Sequence, residues 1–251
     1  MALKYASATD NPHLTTRLMP PPFVHLWHAD LAAEHPAWGP TEVTLSETER
    51  DRQARFRTDA LRQTYGRAHG FLRAVLGPYA GQQPAELVLA APVLRGKPAL
   101  PAPAAVQFNL SYRAGRALLA VSNEWAVGAD VEALHPMTDA LALVQELFSG
   151  PEQAALRATA PGGPWEALFY TIWTRKEAYA KALSMGLSLP FAEFSVLEMG
   201  ADGTPWLAAP AGAQLLGFAA GPGHRGALAV LGAPAGVVPR HFHFPDDLGA
   251  V

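Results

Sequence analysis

The chain has no cysteine among its 251 residues. Disulfide bridges, thiolate metal sites and a cysteine nucleophile are therefore excluded, and a reducing, cytoplasmic setting is the expectation. It also lacks an excess of positive charge: 19 Lys and Arg stand against 22 Asp and Glu, for a net charge of -3. That balance argues against a nucleic-acid binder working through a general basic field, so any anion site must be local. No stretch approaches the roughly 20 apolar residues of a membrane span, and residues 1–22 show no basic segment followed by an apolar run of signal-peptide length. Neither a Gly-x-Gly-x-x-Gly nor a Walker sequence occurs, so the usual nucleotide cradles are missing.

What is present is a large apolar fraction, 49% of the chain, enough to bury a sizeable core in one large domain or two small ones. A helix is expected over 45–76. Ser46 and Glu49 form a capping box, apolar residues from Phe56 to Val75 recur at three- and four-residue steps, and Gly77-Pro78 stops the pattern. The arginines of this stretch, Arg50 to Arg73, are interleaved with Glu47, Glu49, Asp51 and Asp59, which reads as a solvated face with an anion-binding face as the alternative; without an aromatic stacking platform they do not make a nucleic-acid binder. Strands are expected over 86–90, 106–110, 117–121 and 126–131, and a turn at Ser122-Asn123-Glu124 divides the chain. Helices over 138–148, 151–159 and 164–183 and strands over 194–198, 214–218 and 227–231 follow. The expected organisation is a loose tail at 1–22 and two halves, 23–122 and 123–251, in an α+β fold. His241 and His243 alternate on a possible strand; with no third ligand nearby in the sequence they read as structural or exposed, as do His25 and His28.

Two segments carry chemistry. On a strand, Asp130 and Glu132 project to the same side, because residues two apart share a face. Two carboxylates roughly 6 Å apart repel by about 2 to 3 kcal/mol at an effective dielectric near 20, unless a cation or base intervenes. Oxygen-only ligands favour Mg²⁺ or Mn²⁺ over zinc. On the later helix, Glu177 and Lys181 lie one turn apart at the margin of an apolar face formed by Trp165, Leu168, Phe169, Ile172, Tyr179 and Leu183. Three carboxylates and a lysine suit the task of holding a divalent cation against a pyrophosphate.

The order Gly-Lys-Pro (Gly96, Lys97, Pro98), Phe-Asn-Leu-Ser (Phe108 to Ser111), Val-Gly-Ala-Asp-Val-Glu (Val127 to Glu132), Phe-Ser-x-x-Glu (Phe148 to Glu152) and Trp-x-x-Lys-Glu-Ala-x-x-Lys (Trp173 to Lys181) resembles the Sfp-type 4′-phosphopantetheinyl transferases. The resemblance implies a pseudo-dimer of two similar α+β halves, with coenzyme A in the cleft between them. It implies transfer of the phosphopantetheine arm of coenzyme A to a serine of an acyl or peptidyl carrier protein, releasing 3′,5′-ADP, by a monomer. A non-catalytic coenzyme A or carrier-protein binding module of the same fold is the alternative. By the motif match, Asp130, Glu132 and Glu177 would hold Mg²⁺, Lys181 would assist the leaving 3′,5′-ADP, and Glu152 would act on the carrier serine as general base or water-positioning group. Arg52, Lys97, Pro98 and Ser111 would contact coenzyme A, while Gly66 and Arg67 match for contact or packing. The family's Asn-x-Ser-His-Ser reads Asn109-Leu110-Ser111-Tyr112-Arg113 here, so Tyr112 and Arg113 would replace the histidine at the 3′-phosphate. The loop 183–189, with Met185, Leu187 and Leu189, would offer an apolar docking surface to the carrier protein.

Overall fold

The computed structural model describes residues 21–90, 97–101, 106–137, 140–201 and 203–250. Most of the expected tail, and Gly96 of the Gly-Lys-Pro turn, lie outside the described residues. The elements run β1 (Val24–Asp30), α1 (Trp38–Glu42), α2 (Glu47–Ala54), α3 (Asp59–Ala80), β2 (Gln107–Arg113), β3 (Arg116–Ser122), β4 (Ala126–Ala133), α4 (Ala140–Leu147), α5 (Gly150–Ala158), α6 (Gly163–Ala182), β5 (Leu197–Met199), β6 (Pro205–Leu207), β7 (Ala213–Ala219), β8 (His224–Leu231) and β9 (Arg240–Phe244). They form a mixed α+β fold with a four-stranded sheet in the order β2-β3-β1-β9, a three-stranded sheet in the order β4-β8-β7, and a β5-β6 hairpin.

Burial on both faces of the first sheet explains its strand sequences. One face carries Trp27, Phe108, Leu119 and Val121 against Phe71, Val75 and Leu76 of α3. The opposite face carries Val24, Leu26, Leu118 and Ala120 against Val127, Ala129, Val131, Leu228 and Val230 of the second sheet. A central strand covered twice must be apolar throughout, and β3 is buried from Ala117 to Ser122. The far face of the second sheet is covered by α6, where Ala178 and Ala182 meet Ala227 and Ala229.

Several expectations change. The single helix over 45–76 is two helices, because Thr58 adopts an extended conformation and its hydroxyl accepts the Leu61 amide, capping a fresh start. Gly77-Pro78 does not stop it: α3 runs on to Ala80 and ends at left-handed Gly81. The expected strand over 86–90 is a short 3-10 turn at Pro84–Glu86 followed by a single bridge between Ala90 and Ala99. The sequence reading missed β1 and left β9 as only a possible strand; β9 returns from the end of the chain to pair in parallel with β1.

The Ser46–Glu49 capping box is present and does more than end a helix. Glu49 also accepts from Arg73 Nε at 2.6 Å and His69 Nδ1 at 3.0 Å, which joins α2 to α3. Burial opposes the charge on Glu49, but the hydrogen bonds from His69, the Ser46 amide and Arg73 outweigh it and hold the pKa down to about 2. A depressed carboxyl stabilises the fold above its unfolded pKa, and that contribution is lost as pH falls through the folded value. Glu49→Gln should therefore cost about 2 kcal/mol at neutral pH by urea unfolding, and the gap to the parent should close as pH falls from about 4.5 to about 2. A gap independent of pH would show that packing alone is involved.

Candidate active site

Strand β4 lies at the edge of the second sheet, so the amides of Ala129 and Val131 face away from β8 and need other partners. Side chains of β2 supply them: Asn109 Oδ1 accepts Ala129 N–H at 2.8 Å and Ser111 Oγ accepts Val131 N–H at 3.3 Å. Arg113 continues the row, its Nε 3.3 Å from Glu132 Oε2. Alternate residues of one strand thus stitch the two sheets together, and the Asn-x-Ser spacing is the period of that stitch.

On β4, Gly128, Asp130 and Glu132 share the face turned to α6. A β-carbon on Gly128 would overlap the backbone carbonyl oxygen of Ala178 and the amide nitrogen of Ala182. The missing side chain lets the helix lie directly on the strand, which brings Glu177 and Lys181 to Asp130 and Glu132. Lys181 Nζ sits 2.5 Å from Asp130 Oδ1 and 3.1 Å from Ser111 Oγ, whose hydroxyl in turn donates to Asp130 Oδ1 at 3.0 Å. Asp130 is only 3% exposed, and its Oδ2 is buried without a hydrogen-bond partner.

That orphaned oxygen is an unmet demand for a cation. Burial, reinforced by the Asp130 charge, raises the pKa of Glu132, although Arg113, Lys181 and the Trp173 indole pull it back. Burial likewise raises Glu177, with Lys181 opposing and Asp130 and Glu132 adding to the rise. Among the described residues no three acidic or histidine side chains are placed so that together they could hold a metal ion; Lys181 and Arg113 are the cations that meet Asp130 and Glu132. Glu132 and Glu177 lie near the unpaired Asp130 oxygen, and the donors are oxygens of the kind a hard divalent cation takes.

Several of the expected site residues have specific partners in the structure. Glu152 is fully buried, and it accepts from Ser149 N–H and Val196 N–H at 2.8 Å each while pairing with Lys176 Nζ at 2.9 Å. With its oxygens engaged and no exposure it ties together α5, α6 and the 195–196 segment. Lys176, which the sequence analysis gave no role, is its counter-ion. Ser111 bonds Asp130 and Lys181, so it positions the carboxylate site. Tyr112 and Arg113 do not act together: strand alternation sends Arg113 to Glu132 and Tyr112 into the α3 side.

On that side Tyr112 meets His69 edge to face at 6.3 Å, His69 stacks on Tyr65, and the Arg52 guanidinium lies 5.8 Å over the Tyr65 ring. Arg52 also lines an open groove of about 670 Å³ with Thr48, Asp51, Arg55 and Phe56. Arg52 and Tyr112 are thus gathered on one wall. Lys97 reaches the second half, donating to the Val127 carbonyl at 3.1 Å, and burial lowers its pKa; Pro98 beside it is exposed. Arg67 is buried, donates to the Leu31 carbonyl and packs the first half, as Gly66 does against Gln53.

Because Ser111 holds both members of the Asp130–Lys181 pair, Ser111→Ala should lower kcat about tenfold with a smaller change in KM, and Ser111→Thr should restore most of it. Equal losses in the two variants would show that shape, and not the hydroxyl, matters at this position.

The profile of the 4′-phosphopantetheinyl transferase superfamily matches residues 126–212, a span that includes Asp130, Glu132, Glu177 and Lys181. The chain is 34% identical over 168 residues to 4′-phosphopantetheinyl transferase HetI of Nostoc sp., a match covering 66% of this chain and 70% of that protein. It is 40% identical over 87 residues to AcpT of Salmonella typhimurium, covering 35% and 45%, and 33% identical over 101 residues to Sfp of Bacillus subtilis, covering 40% and 43%. Both of these are likewise named 4′-phosphopantetheinyl transferases.

Proposed function

The chain belongs to the 4′-phosphopantetheinyl transferase superfamily, and from that premise we propose that Asp130, Glu132 and Glu177 hold Mg²⁺ or Mn²⁺ for the reaction it performs. That reaction transfers the 4′-phosphopantetheine arm of coenzyme A to a serine of an acyl or peptidyl carrier protein. The serine oxygen bonds to the phosphorus on the pantetheine side of the pyrophosphate as the anhydride bond breaks; 3′,5′-ADP leaves and the serine hydroxyl proton is released to water. The observation that supports the metal set is the partnerless buried oxygen of Asp130 near Glu132 and Glu177, two carboxylates whose pKa values burial raises.

A divalent ion bound there would neutralise pyrophosphate charge, which is the main electrostatic demand of phosphoryl transfer. Lys181, held beside Asp130, stabilises the negative charge on the departing 3′,5′-ADP. Ser111 and Gly128 keep Lys181 and the carboxylates in register. Arg52 and Tyr112 offer a guanidinium and a hydroxyl to the 3′-phosphate, and Lys97 with Pro98 borders the nucleotide. Arg113 steadies Glu132 instead of binding that phosphate. A cytoplasmic monomer fits a cysteine-free chain whose two sheets already pack on each other.

Mass spectrometry of apo acyl and peptidyl carrier proteins, incubated with the protein, coenzyme A and Mg²⁺, tests the reading. The expected result is a mass gain of one phosphopantetheine that EDTA prevents. Coenzyme A binding without any gain on a carrier would overturn it in favour of a binding module, and a gain that persists in EDTA would overturn the metal assignment.

A further inference from the structure

Helix α6 touches all three strands of the second sheet, and side chains at both edges of that sheet hold it. Over the middle strand, Ala178 and Ala182 meet Ala227 and Ala229. Glu177 and Lys181 flank that alanine stripe on the β4 side, where Lys181 reaches Asp130. Arg175, two residues before Glu177 and about 200° around the helix axis, leaves on the β7 side. It is 2% exposed; Nη1 donates to the Leu215 carbonyl of β7 at 2.9 Å, and Nη2 donates to the Ala208 carbonyl just after β6. Its stem crosses β7 at Gly217, where a β-carbon would stand 3.8 Å from Nη1 and 3.9 Å from Cδ. Ala208 is itself fixed, its amide donating to the Val196 carbonyl at 3.0 Å.

A buried guanidinium held only by carbonyls is a poor device for stability. Among the described residues no carboxylate pairs with Arg175; Glu152 attracts it from further off and is already engaged by Lys176, and Arg175 Nε is buried without a partner. An apolar chain of similar length would fill the space without that desolvation cost. What the guanidinium adds is direction, because a planar fork joined to two fixed carbonyls admits one orientation of the helix. We propose that Arg175 is a positioning residue for the metal site, setting the roll of α6 and thereby the distance of Glu177 from Asp130 and Glu132. The inference rests on the metal reading above. At β4 the bare Gly128 lets α6 come close but offers no side chain to stop it turning. Lys176 ties the helix to α5 and to the Phe191 and Phe194 carbonyls, so Arg175 is the tie to the β7 edge. Arg175 and Glu177 lie on opposite sides of the axis, so a roll that lifts one lowers the other. A roll of about 10° moves a carboxylate about 6 Å from the axis by about 1 Å. Mg²⁺ demands near-ideal octahedral geometry, so a shift of that size weakens its binding.

The test is the rate of carrier-protein modification as Mg²⁺ is titrated, with urea unfolding of the same samples. Arg175→Met should need roughly tenfold more Mg²⁺ for its half-maximal rate, and saturating Mg²⁺ should recover most of that rate. Its urea midpoint should stay level or rise, since a buried charge gives way to an apolar chain. Arg175→Lys keeps the charge but has no fork, so its Mg²⁺ requirement should fall between those of Arg175→Met and the parent. Gly217→Val changes no charge and should reproduce the shift by pushing the Arg175 stem aside. If Arg175→Met does not fold, Arg175→Lys and Gly217→Val carry the same test. A Mg²⁺ requirement equal to the parent's in these variants, or a loss of rate that saturating Mg²⁺ does not recover and that follows the loss of stability, would overturn the proposal. Parent activity that persists in EDTA would overturn the metal reading and the proposal with it, whereas a Mg²⁺-dependent parent with unshifted variants overturns the proposal alone.

Discussion

Replacing Gly128 with valine should remove transferase activity almost completely and destabilise the protein by about 3 kcal/mol or more. The reason is local and geometric. A side chain at 128 would enter the backbone of α6 at Ala178 and Ala182, and neither atom can rotate away as a side-chain tip could. The helix must lift, and with it Glu177 and Lys181 leave Asp130. A displacement of about 1 Å at a site that works by positioning is enough to cost roughly 100-fold. Gly128→Ala should show the same loss in milder form. Urea unfolding and carrier-modification rates measured together test this, since parental activity in Gly128→Ala would show that α6 does not depend on the close approach.

The second large effect is expected from Asp130→Asn, with the opposite signature. The amide keeps an oxygen for Lys181 and Ser111 to donate to, so the unfolding midpoint should move by less than about 1 kcal/mol. The carboxylate charge is gone, however, and Mg²⁺-dependent transfer should fall by about 100- to 1,000-fold, corresponding to about 3 to 4 kcal/mol. Titration with Mn²⁺ in the presence of coenzyme A should show the lost affinity directly. Near-parental turnover would remove Asp130 from the metal set. Equal losses of activity and stability would mean that the Asp130–Lys181 pair serves the fold and not the reaction.

The contrast between Gly128 and Asp130 marks how far the sequence can be read. Both stand in the same six-residue motif. That Asp130 and Glu132 share a face follows from strand periodicity, and that Glu177 and Lys181 share a face follows from helical periodicity. The same alternation, applied to β2, separates Tyr112 from Arg113, a consequence the motif comparison passed over. The Ser46–Glu49 cap was legible because both partners lie within one turn, whereas the contribution of Arg73 to Glu49, 24 residues away, was not.

Glu152 shows the limit from the other direction. A glutamate three residues after Ser149 is a capping signal in any sequence, and the structure confirms the cap. Its complete burial depends on Val196 arriving from 44 residues further on and on Lys176 pointing inward from α6.

By itself the sequence determined the mixed helix-and-strand composition, the faces on which the acidic and basic residues lie, and, through five ordered motifs, the family. These are local properties, set by backbone periodicity and short-range hydrogen bonding. Tertiary structure alone decided that Asn109 and Ser111 satisfy the free edge of β4, that Gly128 admits α6, that Glu152 is sealed inside, and that β9 returns to bring His241 and His243 to His28. Each of these depends on which distant surfaces bury one another, and burial of apolar faces specifies such partners only when the whole chain packs.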